Sequence, residues 1–308
     1  MFENCQSTAI SSHVLQKNGI LKEISENNHL IELKPSDPFK IEKEGVSEFK
    51  LVGINSVYTF PGFCSIHDSS IFKTIETIET LDLQDKEQQS LFSYRGLCQE
   101  IRRKEISAET LKELKDKFPP HVRHLVDSLL NGFEDGQKNL PYFKTEFETC
   151  IKLKNFDRFH FETIQIPKID VCISVPLNIG ELKIRDENET YEEWRMNNTI
   201  PSTTSFVNVF PKGKFTYIIA GYHKDYVCKW TDNFIARLKR KKKERIFKEI
   251  SDLFTLRLEF WAMSPKLFST IRKVDLEKYK DLFAANVYNH SPKLKTKLNL
   301  FEKYTYGG

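Results

Sequence analysis

The stretch Ser205–Ala220, reading SFVNVF-PKGK-FTYIIA, decides the fold class. Two runs rich in β-branched and aromatic residues flank Pro211-Lys212-Gly213-Lys214. Side chains of those types fit a pleated, half-buried surface, and a short loop with Gly suits a tight reversal, so the stretch predicts an antiparallel hairpin. Upstream, Phe156–Ile166 and Ile169–Val175 read as further strands separated by Pro167. Downstream the period changes to that of a helix. One long helical stretch is predicted from about Lys229 to Met263, with the apolar stripe Ile246, Ile250, Leu253, Phe254, Leu258 and Trp261, ended by Pro265. A last amphipathic helix is predicted near Leu276–Phe283.

The N-terminal half is mixed. Ile10, Val14, Leu21 and Ile24 suggest a short helix interrupted near Asn18-Gly19, while His29–Leu33 and Phe49–Phe60 read as strands. Helical spacing returns at Phe72, Ile75 and Ile78 and at Leu91, Tyr94, Cys98 and Ile101. Val122, Leu125, Val126 and Leu129 mark another helix, with Pro119-Pro120 before it and Gly132 just past its end. The segment Phe133–Pro141, FEDGQKNLP, combines Gly, Asn, Pro and charge, and reads as a boundary. Helices and strands alternate without a βαβ rhythm, so the expected class is α+β. A zinc-knuckle-like, mixed helical region over 1–135 is expected to precede an α+β domain over 142–308, with an antiparallel sheet and long C-terminal helices.

Composition supports a packed core: of 308 residues, 39% are hydrophobic and 29% charged. The net charge of +4 is too small to imply a nucleic-acid or membrane partner by itself. Neither an apolar run long enough to span a bilayer nor a secretory signal is visible in the sequence. Six widely spaced cysteines (Cys5, Cys64, Cys98, Cys150, Cys172, Cys228) are therefore expected to be reduced thiols of a cytoplasmic protein.

Two of those cysteines stand near histidines, as Cys5-x7-His13 and Cys64-x2-His67. Zinc prefers four sulfur or imidazole-nitrogen ligands in a tetrahedron, and a Cys-x2-His step lets one turn present two of them. Pro61 and Gly62 favour such a turn. Cys5, His13, Cys64 and His67 are the expected ligands, with His29 and Asp68 as substitutes or orienting partners. The alternative is two buried thiols and two unrelated histidines. The pattern Cys5…Ile10-Ser-Ser-His13…Leu21, then Gly62-Phe-Cys-Ser-Ile-His-Asp68…Ile71-Phe72…Ile75-Glu76 and Tyr94-Arg95, resembles a group of bacterial proteins. Some of these belong to the defence gene pool. The likeness covers about the first 105 residues, and more weakly Asn208–Pro211. It implies that the four Cys and His residues belong together, and it brings no assigned reaction.

Downstream of the metal ligands, Glu76, Arg95 and Glu100 are the candidate catalytic groups, since a carboxylate orients metal-bound water and an Arg neutralises phosphate. They also fit plain helix faces. No HExxH, G-x-S-x-G, GxxxxGK[ST] or GxGxxG motif occurs. A dense basic run, Arg237, Lys239, Arg240, Lys241, Lys242, Lys243 and Arg245, suits phosphate contacts. It equally suits a solvated helix face or a turn between two helices. The expected function is a zinc-stabilised intracellular binding or sensing protein with a nucleic-acid or protein partner. The alternatives are a metal-dependent hydrolase such as a nuclease, and a scaffold subunit without chemistry.

Overall fold

A computed structural model describes residues 5–36, 47–179, 202–240, 242–286, 289 and 291–302. The fold is α+β. Its strands are β1 (Ser11–His13), β2 (His29–Pro35), β3 (Ser47–Gly53), β4 (Thr59–Pro61), β5 (Phe159–Pro167), β6 (Val171–Asn178), β7 (Thr204–Lys212), β8 (Phe215–His223) and β9 (Trp261–Met263). The helices used below are α1 (Ser65–Ile71), α2 (Lys86–Leu114), α3 (Arg123–Leu153), α4 (Lys229–Arg240), α5 (Lys243–Leu256), α6 (Pro265–Thr270) and α7 (Lys273–Asn286). Among the described residues no helix is long and apolar enough to cross a membrane.

Seven strands form one antiparallel sheet in the order β3-β2-β9-β6-β7-β8-β5. The hairpin expected from SFVNVF-PKGK-FTYIIA is there: Lys212 pairs with Phe215, and Gly213 takes φ +62°, a conformation Gly adopts without strain. Nearly every residue of β6 and β7 is buried, which explains their continuous apolar character. β1 and β4 make a separate two-stranded ribbon.

One position fixes how α2 lies on the sheet. Gly96 faces Ser174 of β6, where an added Cβ would sit 2.2 Å from Ser174 Oγ and 2.8 Å from its carbonyl oxygen. The same Ser174 hydroxyl donates to the Phe92 carbonyl (3.0 Å) and bonds Asn208 Oδ1 (2.6 Å), whose amide donates to Ser93 Oγ (2.9 Å). β9 is too short to reach this part of β6. Tyr58 fills in for it: its hydroxyl accepts from the Ser174 N–H (2.7 Å) and donates to the Ser174 carbonyl (2.9 Å). Tyr58 itself holds φ +56°, unusual for a bulky residue, and its N–H is held by Glu32 (3.1 Å).

Several sequence expectations give way to packing. FEDGQKNLP is no linker: α3 runs unbroken from Arg123 to Leu153 with Pro141 inside it. Its Gly136 serves close approach of α2 and α3, since a Cβ there would lie 2.5 Å from Lys104 Cδ. A single hydrophobic cluster draws on Val14 at one end of the chain and Phe301 at the other, so 1–135 and 142–308 share a core. The helix expected over Lys229–Met263 breaks at Lys242, which is extended (φ −69°, ψ 159°). Like charges at helical spacing, such as Lys239 and Lys243, oppose its continuation there. Trp261 then leaves the helical stripe for β9, between β2 and β6, fully buried, with its indole N–H on Tyr279 Oη (3.1 Å). In the N-terminal half, the helix read from Ile10 to Ile24 opens instead with β1, and Phe49–Phe60 divides into β3 and β4.

Two of the three glycines in the long helices, Gly96 and Gly132, predict opposite outcomes in urea unfolding. Gly96→Ala is expected to destabilise the protein by about 1–3 kcal/mol, because the β6 backbone must move. Gly132 of α3 has nothing near its Cβ position. Gly132→Ala is expected to stabilise by about 0.5–1 kcal/mol through helix propensity alone. Equal effects at both positions would contradict this packing.

Candidate metal centre

The β1–β4 ribbon builds the centre. Ser11 pairs with Pro61 in antiparallel register, and the Ile10 N–H continues it onto the Phe63 carbonyl (2.8 Å). Following that register back along the chain brings Cys5 to the turn that carries Cys64 and His67. Cys5 Sγ lies 3.6 Å from Cys64 Sγ, and Cys64 Sγ lies 3.3 Å from His67 Nδ1. All three ligand atoms fall within 4.8 Å of one another. Zn–S and Zn–N bonds of ordinary length in a tetrahedron set edges of about 3.8 Å between sulfurs and about 3.6 Å between sulfur and nitrogen. The observed separations are close to these. Cys64 caps the N-terminal end of α1, and a hydrogen bond from the His67 backbone holds its thiol below its usual value, against the opposing effect of burial. A thiol biased toward thiolate is the form that binds metal.

His13 does not join the other three. It is half-buried with Nε2 on the Ile54 carbonyl (2.8 Å), so the expected quartet contracts to Cys5, Cys64 and His67. Residue type and spacing suggested His13. Its place beside the turn after β3 is a tertiary fact that no local pattern carries. The two substitutes are engaged elsewhere as well: exposed His29 pairs through Nδ1 with the Asn27 carbonyl (2.7 Å), and Asp68 faces Arg95.

The catalytic candidates serve as braces. Arg95 is 2% exposed, and it pairs with Asp68 of α1 (2.9 Å) and with Glu76 (2.6 Å). Its guanidinium lies 4.3 Å above the Phe72 ring. Arg95 thus ties the segment carrying Cys64 and His67 to α2, one residue before the Gly96 contact. Glu100 accepts a bidentate pair of bonds from Arg103 (2.9 and 3.0 Å) and meets Lys104 (3.2 Å). Burial pushes the Glu100 carboxyl up, yet the two cations outweigh it and hold the group below its usual value. Arg103 also reaches Glu259 (2.7 Å), just before β9. None of the three catalytic candidates has an uncommitted charged group facing the Cys/His cluster.

The basic run is divided by the α4–α5 break. Arg237 pairs with Glu249 (3.0 Å) and Lys239 with Glu162. Arg240, Lys242 and Arg245 are exposed around the turn. Lys241 lies outside the described residues, and of Lys243 only the backbone is described.

No family model, curated protein or solved structure matches the chain.

His13 supplies a pH test of this arrangement. Burial depresses its pKa from the usual 6.5, with Lys17 and Arg95 adding to that depression and the Ile54 carbonyl and Glu76 opposing it. In the window just below 6.5 the unfolded chain therefore binds more protons than the folded one. Stability is full above that value and falls as pH drops through it. Urea unfolding midpoints are expected to decline below about pH 6.5, and the decline should shrink in His13→Gln. An unchanged decline in that variant would assign the pH dependence elsewhere.

Proposed function

We propose that the chain is a zinc-stabilised binding protein in which Cys5, Cys64 and His67 hold the ion. The observation that carries this reading is the match between the sulfur and nitrogen separations, 3.6 and 3.3 Å, and the edges of a zinc tetrahedron. Bound zinc supplies Lewis acidity and a fixed tetrahedral joint. Here its role is to staple the N-terminal tail, beyond the β1–β4 ribbon, onto α1. Ligation by deprotonated thiols couples metal binding to folding of that region. Three protein ligands also match the count at a catalytic zinc, where water takes the fourth place. The engagement of Asp68, Glu76, Arg95 and Glu100 in ion pairs favours the structural role over a hydrolase.

A second reading concerns the partner. Three exposed cations, Arg240, Lys242 and Arg245, crowd one turn, and same-sign charge held together in this way attracts polyanions. Nucleic acid is the partner this turn fits.

Both readings have direct tests. Elemental analysis of the purified chain is expected to find stoichiometric zinc, lost in Cys64→Ser and in His67→Ala and kept in His13→Gln. Chelation should lower the unfolding midpoint of the parent and leave that of Cys64→Ser where it stands. A parent chain that stays metal-free after loading, or a Cys64→Ser variant that keeps its zinc, would refute the centre. For the turn, the triple variant Arg240→Gln, Lys242→Gln, Arg245→Gln is expected to lose single-stranded oligonucleotide retention at low salt. Its log affinity should also depend less on log salt, by about 0.7 for each phosphate contact removed. Retention equal to that of the parent would remove nucleic acid from the proposal.

A further inference from the structure

A cavity of about 400 Å³ lies between α4, α5 and the segment Pro292–Lys295. That volume is within the range of small-ligand pockets. One wall is aromatic: the Trp230 and Phe234 rings, a helical turn apart on α4, stack at 5.0 Å with an interplanar angle of 7°, and Trp230 is the more open of the two, 8% exposed against 1% for Phe234. The lining is otherwise mostly charged, and its charges do not cancel. Glu249 is matched by Arg237 (3.0 Å) and Lys295 (3.6 Å), and Asp252 by Lys248. Lys229, Arg257 and Lys293 also line the cavity, and among the described residues none of them has a carboxylate within ion-pair distance.

Arg257 is the most informative of the three. It follows the last turn of α5, and its guanidinium donates to the carbonyls of Asn289 (3.1 Å) and Ser291. Those neutral acceptors fix its orientation without neutralising it. Burial disfavours its charge, and among the described residues no carboxylate lies within ion-pair distance of it. A partly desolvated cation at the edge of a cavity, without a counter-ion, is a candidate group for binding an anion.

We infer that this cavity binds a nucleotide, with phosphate against Arg257, Lys229 and Lys293 and the base against the exposed part of Trp230. A bare phosphate would use the cations and leave the aromatic wall without a role. Contact with an aromatic side chain accepts any base, so the site is selective for the class of ligand rather than for sequence. The source is either a free nucleotide or one unit of a single strand. The cavity stands independently of the zinc centre and of the exposed turn at Arg240, Lys242 and Arg245.

The experiment uses the full chain with three probes: ATP, inorganic phosphate and a short fluorescent oligothymidylate. ATP or the oligonucleotide is expected to quench tryptophan fluorescence in the parent, and the quench should disappear in Trp230→Phe. Arg257→Gln is expected to weaken binding about tenfold, the loss of one charge-assisted contact. Lys229→Gln with Lys293→Gln changes only exposed side chains, so it keeps the test valid if Arg257→Gln does not fold. This double variant should weaken binding at least as much. ATP binding without oligothymidylate binding assigns a free nucleotide and removes the basic turn as a strand site. Oligothymidylate binding tighter than ATP, and sensitive to Arg257→Gln, assigns a strand. Three results would overturn the cavity as a nucleotide site: no binding of either nucleotide probe, equal affinity for inorganic phosphate and ATP, or binding indifferent to both sets of variants.

Discussion

The contact on which the rest of the structure depends is that of Ser174 with Gly96, Asn208 and Tyr58. Ser174 sits where β9 has ended, so one edge of β6 has a donor and an acceptor that the sheet cannot pair. A buried N–H and C=O left in that state would cost about 1–3 kcal/mol. The Tyr58 hydroxyl meets both. On the opposite strand Asn208 completes a relay into Ser93 of α2, and the missing side chain at Gly96 lets α2 come close enough to close it. Four separate pieces of chain are thereby set in register by one serine.

That register extends to the Cys/His cluster. Arg95 precedes Gly96, so the depth of α2 on the sheet fixes where its guanidinium stands. Desolvating that guanidinium is costly unless charges meet it. Asp68 and Glu76 meet it from two sides, and Phe72 underlies it. These three partners belong to the segment that begins at Cys64. The ion pairs therefore anchor the turn that presents Cys64 and His67 from below, while the β1–β4 ribbon brings Cys5 from the other side. Neither device involves a metal: ion pairs and a ribbon register set the three side chains within 4.8 Å of one another.

How much of this the sequence shows depends on range. The four strands from Phe159 to His223 are legible because β-branched and aromatic runs are broken by Pro167 and by the PKGK loop, which are local signals. β9 is not legible: Trp261 continues a helical stripe of apolar residues, and only pairing with β2 and β6 makes it a strand. FEDGQKNLP misleads for a related reason. Gly and Pro ordinarily punctuate a chain, but here Gly136 removes a side chain where two helices touch. The Cys-x2-His step is visible, whereas the partnership of Cys5 with Cys64 depends on a ribbon register, and the exclusion of His13 on a carbonyl of the turn after β3. The cavity leaves no trace in the sequence. Its cations come from α4, from the residue just past α5 and from the segment after α7, and that no described carboxylate pairs with Lys229, Arg257 or Lys293 is a property of packing.

Cysteine count illustrates the same limit from the chemical side. Four of the six thiols separate into two kinds through their surroundings. Desolvation in the core pushes Cys98 up to about 12 and raises Cys172 and Cys150 as well. These thiols pack as small apolar groups, and their protons are held firmly. Cys64 is buried too, yet the hydrogen bond from the His67 backbone moves it in the other direction. Burial alone would have made it one more inert core thiol. A turn that aims a backbone donor at its sulfur, with a second thiol and an imidazole within reach, makes it the ligand-bearing one. The cluster thus combines a local turn, Cys64 to His67, with a ribbon register that brings Cys5 from 59 residues away, and the rest of the fold holds both in place.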